Sequence, residues 1–199
     1  MTLNENGEKQ LLEEAKVTIK GQAASVVPLS LENDIDAERR LSQDLSRVVQ
    51  LMGKWTTIEA QKYVSELIRM TELKNLSKTG FVPGFPLVPY GIYEVEMSPG
   101  VGSEQQLARP AILWSGLPKA RTAVFIPLTK ERWQDRFDFH VDLPLTFPNE
   151  ESTALIDHLK TFDKVRIKQP FSRGGSIITI HLDEREIIKR ELMKFLKLQ

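Results

Sequence analysis

At 199 residues, with 41% hydrophobic and 27% charged side chains, the chain has ordinary globular composition and enough apolar side chain to bury a core. Lysines plus arginines equal aspartates plus glutamates at 27 each, so the net charge is zero. That excludes the broad basic footprint of a sequence-independent nucleic-acid binder but leaves room for a small basic cleft acting on RNA. The absence of cysteine removes any disulfide framework or thiolate metal site, in keeping with a reducing cytoplasm.

Residues 1–35 are polar and turn-rich (Asn4, Asn6, Gly7, Gly21, Asn33) and predict a poorly ordered N-terminal segment. Within it, Glu5, Glu8, Glu13 and Glu14 interrupt any apolar run, so neither a secretory signal nor a membrane anchor is expected. No stretch reaches the roughly 20 apolar residues of a membrane span, and a soluble, cytoplasmic protein is expected.

Residues 36–76 predict a helical hairpin. Leu41, Leu45, Val48, Val49 and Met52 recur at helical spacing, with Asp36 placed to cap the start and Gly53 to end it. Thr56 and Glu59 have capping-box spacing ahead of a second stripe, Ala60, Tyr63, Val64, Leu67 and Ile68. The short connection implies an antiparallel pair packing through Val48, Met52, Val64 and Leu67. Residues 77–89 form a Pro/Gly-rich connector in which Phe81, Val82, Phe85, Leu87 and Val88 are too apolar for a free tether, so it is expected to lie on a surface.

From residue 90 the period changes. Residues 92–97, 111–114, 123–128 and 177–181 read as strands, as does 137–143 with Phe137, Phe139, Val141 and Leu143 on one face. Residues 182–198 read as a closing helix, with Asp183 near its start. A mainly antiparallel α+β domain follows. His140, His158 and His181 lack metal-ligand spacing, and no metal or other cofactor is expected.

The segment SPGVGSEQQLARP, residues 98–110, resembles the opening loop of MazF/PemK toxins, in which P-x-x-G-S-E-Q leads to R-P and a second strand. VFIPLT, FHVDL, ALIDHLKTFDKVRI and LDEREIIKRELMKFL resemble later segments of that family in the same order. The chain departs from the family at Tyr90-Gly91-Ile92-Tyr93, where Gly-Asp is usual, and at His158-Leu159-Lys160-Thr161, where Gln-Ile/Val-Arg-Thr is usual.

The resemblance covers residues 90–199 and implies a compact MazF/PemK/CcdB-like antiparallel, barrel-like sheet with a C-terminal helix. It implies a toxin of a type II toxin–antitoxin system: a homodimeric endoribonuclease that cuts single-stranded RNA sequence-specifically and without metal, and is held by a cognate antitoxin. By the same resemblance Arg109 and Thr129 occupy the catalytic positions, and Ser103, Glu104 and Gln105 belong to the substrate loop. Glu104 is also a candidate general base. Lys130 and Trp133, in the polar loop after Thr129, are candidate RNA contacts, the indole as a stacking surface.

Two other readings stay open. One is a catalytically inactive module of the same fold that binds RNA or protein under control of the N-terminal hairpin. The other is a gyrase poison of the CcdB type, which the ending Lys-Phe-Leu-Lys-Leu-Gln, without tryptophan, disfavours.

Overall fold

The computed structural model describes residues 30–97, 107–116 and 119–198. Most of the expected N-terminal segment, up to residue 29, lies outside them. The chain divides into two compact units, Met1–Thr56 and Thr57–Gln199, with the boundary between the two helices read from the sequence.

In the first unit a 3₁₀ turn, Leu31–Asn33, precedes helix α1, Ile35–Leu51. The cap is Asp34 and not Asp36: its backbone lies outside the helical region, and its carboxylate accepts the Ala37 N–H at 2.9 Å. Asp36 sits inside the first turn, where its charge still favours the positive end of the macrodipole. The helix does not end on a left-handed Gly53; it tightens into a 3₁₀ turn, Met52–Lys54. None of the α1 residues is buried, and Leu41, Leu45 and Val49 of the apolar stripe are exposed.

The second unit opens with helix α2, Thr57–Lys78, which buries Glu66 and Leu73. Its C-terminal end is tied down by Arg121, whose guanidinium donates to the Ser77 carbonyl and, at 2.7 Å, to Ser77 Oγ. A cation there also suits the negative end of the helix. The Pro/Gly-rich connector lies on the sheet as its apolar content implied. Phe85 and Leu87 pack against the core, the Val88 N–H donates to Tyr93 Oη at 2.7 Å, and Tyr93 donates to the Pro86 carbonyl at 3.0 Å.

The strands are β1 (Ile92–Glu96), β2 (Ala108–Ser115), β3 (Thr122–Thr129), β4 (His140–Asp142), β5 (Thr153–Leu155), β6 (Lys160–Asp163) and β7 (Ile167–Pro170). They form one seven-stranded sheet of order β4-β5-β3-β2-β1-β7. β6 pairs with the first half of β3, and β5 with its last two residues, along the same edge. A strand shared in this way bends the sheet around itself, the barrel-like α+β architecture expected. A short hairpin, β8 (Ser172–Arg173) and β9 (Ser176–Ile177), and helix α3 (Leu182–Phe195) complete the unit.

The continuous apolar runs of β2 and β3 are explained by burial on both faces. Ile92, Ile112, Ile126 and Leu128 face one core, closed by Ile188 of α3, while Tyr93, Val95, Ala111, Leu113 and Phe125 face another. Burial holds α3 in place: the fully buried Ile188 is worth about 1.5–3 kcal/mol. Its Lys189–Glu186 and Lys194–Glu191 pairs lie at the surface, where water screens them and they add little.

Two strand readings are corrected. Residues 137–143 do not run as one strand: Phe139 takes a positive φ of 66°, which breaks the alternation, so only His140–Asp142 pairs and Phe137 is exposed. Residues 177–181 give only the last residue of β9 and an isolated bridge, Gly91↔Thr179. His181 is the N-cap of α3, its Nδ1 accepting the Asp183 N–H at 3.3 Å.

Candidate active site

The site is created where β2 and β3 part. Their ladder ends at Ala111↔Pro127. Beyond it the early residues of β2 stay with β1, with Arg109 opposite Val95, and the last residues of β3 stay with β5, with Thr129 opposite Thr153. Pro110 and Pro127 flank the parting point, and neither has an amide N–H with which to extend the ladder. Carried on by two residues, the β2–β3 register would set Arg109 against Thr129. The two side chains, 20 positions apart in sequence, thereby come to the opposite banks of one opening.

That opening is a cleft of about 610 Å³, lined by Arg109, Thr129, Lys130, Glu131, Phe147, Glu150, Glu151, Ser152, Phe171 and Arg173 with the apolar floor Ile92, Leu128 and Ile178. Its size is that of an ordinary ligand site. Thr129 is buried, and its Oγ1 accepts the Glu131 N–H at 3.3 Å. A hydroxyl that accepts in this way keeps its own proton to donate, and no acceptor among the described residues takes it. Arg109 is half-buried on the facing bank. Lys130 is exposed, with Nζ 3.6 Å from Glu150 Oε2.

Of the residues singled out in the sequence, Arg109, Thr129 and Lys130 are brought together here. Trp133 is half-buried in the turn after Lys130 and does not line the cleft. Ser103, Glu104 and Gln105 lie outside the described residues. The sequence reading missed Arg173, Glu131 and the pair Glu150–Glu151. Arg173 carried a usable signal, because Ser-Arg-Gly-Gly-Ser is a two-residue hairpin pattern; the carboxylates carried none.

A second polar pocket, of about 440 Å³, is formed by Gln134, Asp135, Arg136, His140 and Asp142. His140 is held between carboxylates, Nδ1 at 2.8 Å from Asp135 Oδ2 and Nε2 at 3.4 Å from Asp157 Oδ1. Burial pushes the Asp135 carboxyl up, but the Phe137 amide, the His140 ring and the Arg132 guanidinium together outweigh it and hold the carboxyl below its ordinary value. His158 also approaches Asp157, at 3.7 Å. No histidine lines the Arg109 cleft, so an acid–base histidine pair is not assembled there. Among the described residues no group of three or more histidine and acidic side chains is arranged to hold a metal ion.

The Asp163–Arg166 segment is a fixed turn. Asp163 accepts the Val165 N–H at 3.1 Å, and Arg166 lies over the Phe162 ring while donating to the Glu96 carbonyl at 3.1 Å. Burial pushes the Arg166 guanidinium below its usual range. No helix among the described residues is long and apolar enough to cross a membrane.

Comparison with known proteins gives one family and a set of solved structures. The family described as PemK-like, MazF-like toxin of type II toxin–antitoxin system matches residues 89–196. MazF (Form-I) from Deinococcus radiodurans is 19% identical with a TM-score of 0.46, covering 57% of this chain and 98% of that one. The MazE–MazF (Form-II) structure from the same organism gives 19% identity, a TM-score of 0.44, and coverage of 58% and 99%. Toxin MazF-mt6 from Mycobacterium tuberculosis gives 12% identity, a TM-score of 0.42, and coverage of 55% and 98%. No curated sequence matches at a significant level. With its family match spanning more than half of the sequence and including both banks of the cleft, the chain belongs to the PemK-like, MazF-like toxin family of type II toxin–antitoxin systems.

Proposed function

We propose that the chain is an endoribonuclease toxin that cuts single-stranded RNA at the Arg109–Thr129 cleft, with the ribose 2′-OH as nucleophile. The observation that carries this reading is the meeting of a guanidinium and a buried hydroxyl on the two banks of one open cleft. In the reaction the 2′-oxygen attacks the adjacent phosphorus, a 2′,3′-cyclic phosphate forms, and the departing 5′-oxygen takes up a proton. Charge builds on the nonbridging oxygens as the phosphorus becomes five-coordinate. Arg109 meets that charge with a fixed fork of donors, and Thr129 adds the proton it has not given to the protein.

The RNA supplies its own nucleophile, so the same chemistry leaves DNA uncut and needs no metal. The carboxylates of Glu131, Glu150 and Glu151 line the cleft and are available to take the 2′-OH proton, beside Glu104 of the preceding loop. Family membership supports a cognate antitoxin as partner, and the chain is expected to act as a homodimer with its own cleavage sequence.

The test is to incubate the full chain with a long, mostly unstructured RNA in EDTA, beside Arg109→Ala, and to map the new 5′ ends. Discrete cuts bearing 5′-OH ends, slowed at least about 100-fold in the variant, are expected from the loss of one charge-stabilising group. Cuts that persist in Arg109→Ala, or ends that carry 5′-phosphate, would sink the proposal.

A further inference from the structure

The hairpin β8–β9 brings a second arginine, Arg173, to the cleft. Its strands pair Ser172↔Ile177 and Arg173↔Ser176, leaving Gly174 and Gly175 as the turn. Both glycines have positive φ, 58° and 79°, the requirement of the tight two-residue turn that matches strand twist. Any side chain there would be strained. Arg173 is therefore the last residue before a turn of fixed shape.

The base of the hairpin is fastened to β1. The Phe171 N–H donates to the Ile92 carbonyl at 2.9 Å, the Ile92 N–H to the Ile178 carbonyl at 2.9 Å, and the Ile178 N–H to the Phe171 carbonyl at 2.8 Å. Phe171 and Ile178 pack on one core and Ile177 on the other. The arm carrying Arg173 is thus short, stapled and buried at its root, a mount that holds a side chain in place before a ligand arrives.

The charges of the cleft give the arginine a purpose. Three cations (Arg109, Lys130, Arg173) and three carboxylates (Glu131, Glu150, Glu151) line it. A polyanion gains nothing from a cleft neutral on average, so each phosphate has to be met by a local cation. Lys130 is already engaged by Glu150. Arg173 forms no ion pair or side-chain hydrogen bond among the described residues, and its side chain is exposed. An arginine that braced the fold would have a carboxylate or carbonyl to brace against.

We propose that Arg173 binds a backbone phosphate of the RNA strand adjacent to the phosphate being cleaved, so that the strand is held at two consecutive phosphates. This rests on the reading of the cleft as an RNA site. It assigns Arg173 to affinity and register, and Arg109 to the reacting phosphate. A guanidinium suits the task because its planar fork takes two phosphate oxygens at once, which the ammonium of lysine does not.

The experiment measures binding of a fluorescent single strand with 2′-O-methyl riboses, which lack the nucleophile and stay intact. The full chain is compared with Arg173→Ala and Arg173→Lys over a series of salt concentrations. Arg173→Ala is expected to bind about tenfold more weakly and to lower the slope of log K against log salt by about 0.7, the value of one lost phosphate contact on a single strand. Arg173→Lys is expected to restore the slope and only part of the affinity. In cleavage of the natural RNA, Arg173→Ala is expected to raise KM about tenfold with kcat within about threefold of wild type, the mark of binding lost equally in ground and transition states. A wild-type slope and affinity in Arg173→Ala, with the wild-type chain binding the strand, would overturn this assignment alone. Failure of the wild-type chain to bind the strand at all would overturn it together with the RNA reading.

Discussion

Replacing Thr129 by valine separates what the hydroxyl does for the fold from what it does for the reaction. Valine has the same branched shape and suits a strand, so packing against the buried surroundings is retained. What is lost within the protein is one hydrogen bond, the Glu131 N–H to Oγ1, which at 3.3 Å is longer than the usual 2.9–3.0 Å. Glu131 is exposed, so its amide turns to water, and the cost to stability is below about 1 kcal/mol. The cost to the reaction is larger. A donor aimed at charge that develops only in the transition state is worth about 2.7–4 kcal/mol, or about 100–1000-fold in kcat. Initial rates on a labelled single-stranded RNA, run beside urea melts of both proteins, measure the two terms independently. A variant that melts like wild type and cleaves within about threefold of it would refute the assignment of Thr129 to the site. A stability loss above about 2 kcal/mol would show instead that the hydroxyl serves the fold.

Two further outcomes follow from buried or coupled charges. Glu184 of α3 is 2% exposed and accepts the Leu145 N–H at 2.7 Å, the Thr146 N–H at 3.1 Å and the Thr146 hydroxyl. Glu184→Gln turns an amide donor toward these donors and is expected to cost about 2–4 kcal/mol, read as a lower urea midpoint at unchanged m; a loss under about 0.5 kcal/mol would contradict it. Asp135, whose carboxyl is held below its ordinary value, contributes stability that is complete above its unfolded value near 4 and lost as pH falls through the folded one. The advantage of wild type over Asp135→Asn in acid unfolding should accordingly shrink below about pH 4; a difference unchanged down to pH 2 would show that the carboxylate is not coupled to folding.

Much of the fold was written in the period of apolar residues, and its failures have local causes. The runs at 111–114 and 123–128 announced strands because both their faces are buried, and Phe85 and Leu87 announced a connector that packs. The run at 137–143 misled because composition does not reveal a positive φ: Phe139 turns the chain and sends Phe137 outward. Asp36 reads as the cap in the sequence but lies inside the first turn, two residues past the actual cap Asp34, and only backbone geometry separates the two. At the site, no spacing rule links Arg109 to Thr129. Only the family resemblance marked them in the sequence, and the parting strands supply the physical reason they meet. Nothing in the sequence singled out Glu150 and Glu151, and their place in the cleft follows from the path of the chain into β5.

The doubly shared edge of β3 has a consequence for motion. β3 is hydrogen-bonded to β2 on one side and to β6 and then β5 on the other, so its amides open only when several strands let go together. Native-state hydrogen exchange should find them among the slowest in the molecule. The β8–β9 hairpin, with two residues in each strand, depends instead on the bonds that Phe171 and Ile178 make at its root. Thr129 thus rides on a strand expected to open late, and Arg173 on a hairpin whose hold on the sheet rests on the three bonds at its root. Exchange at those root amides is expected to report how firmly the Arg173 side of the cleft is set.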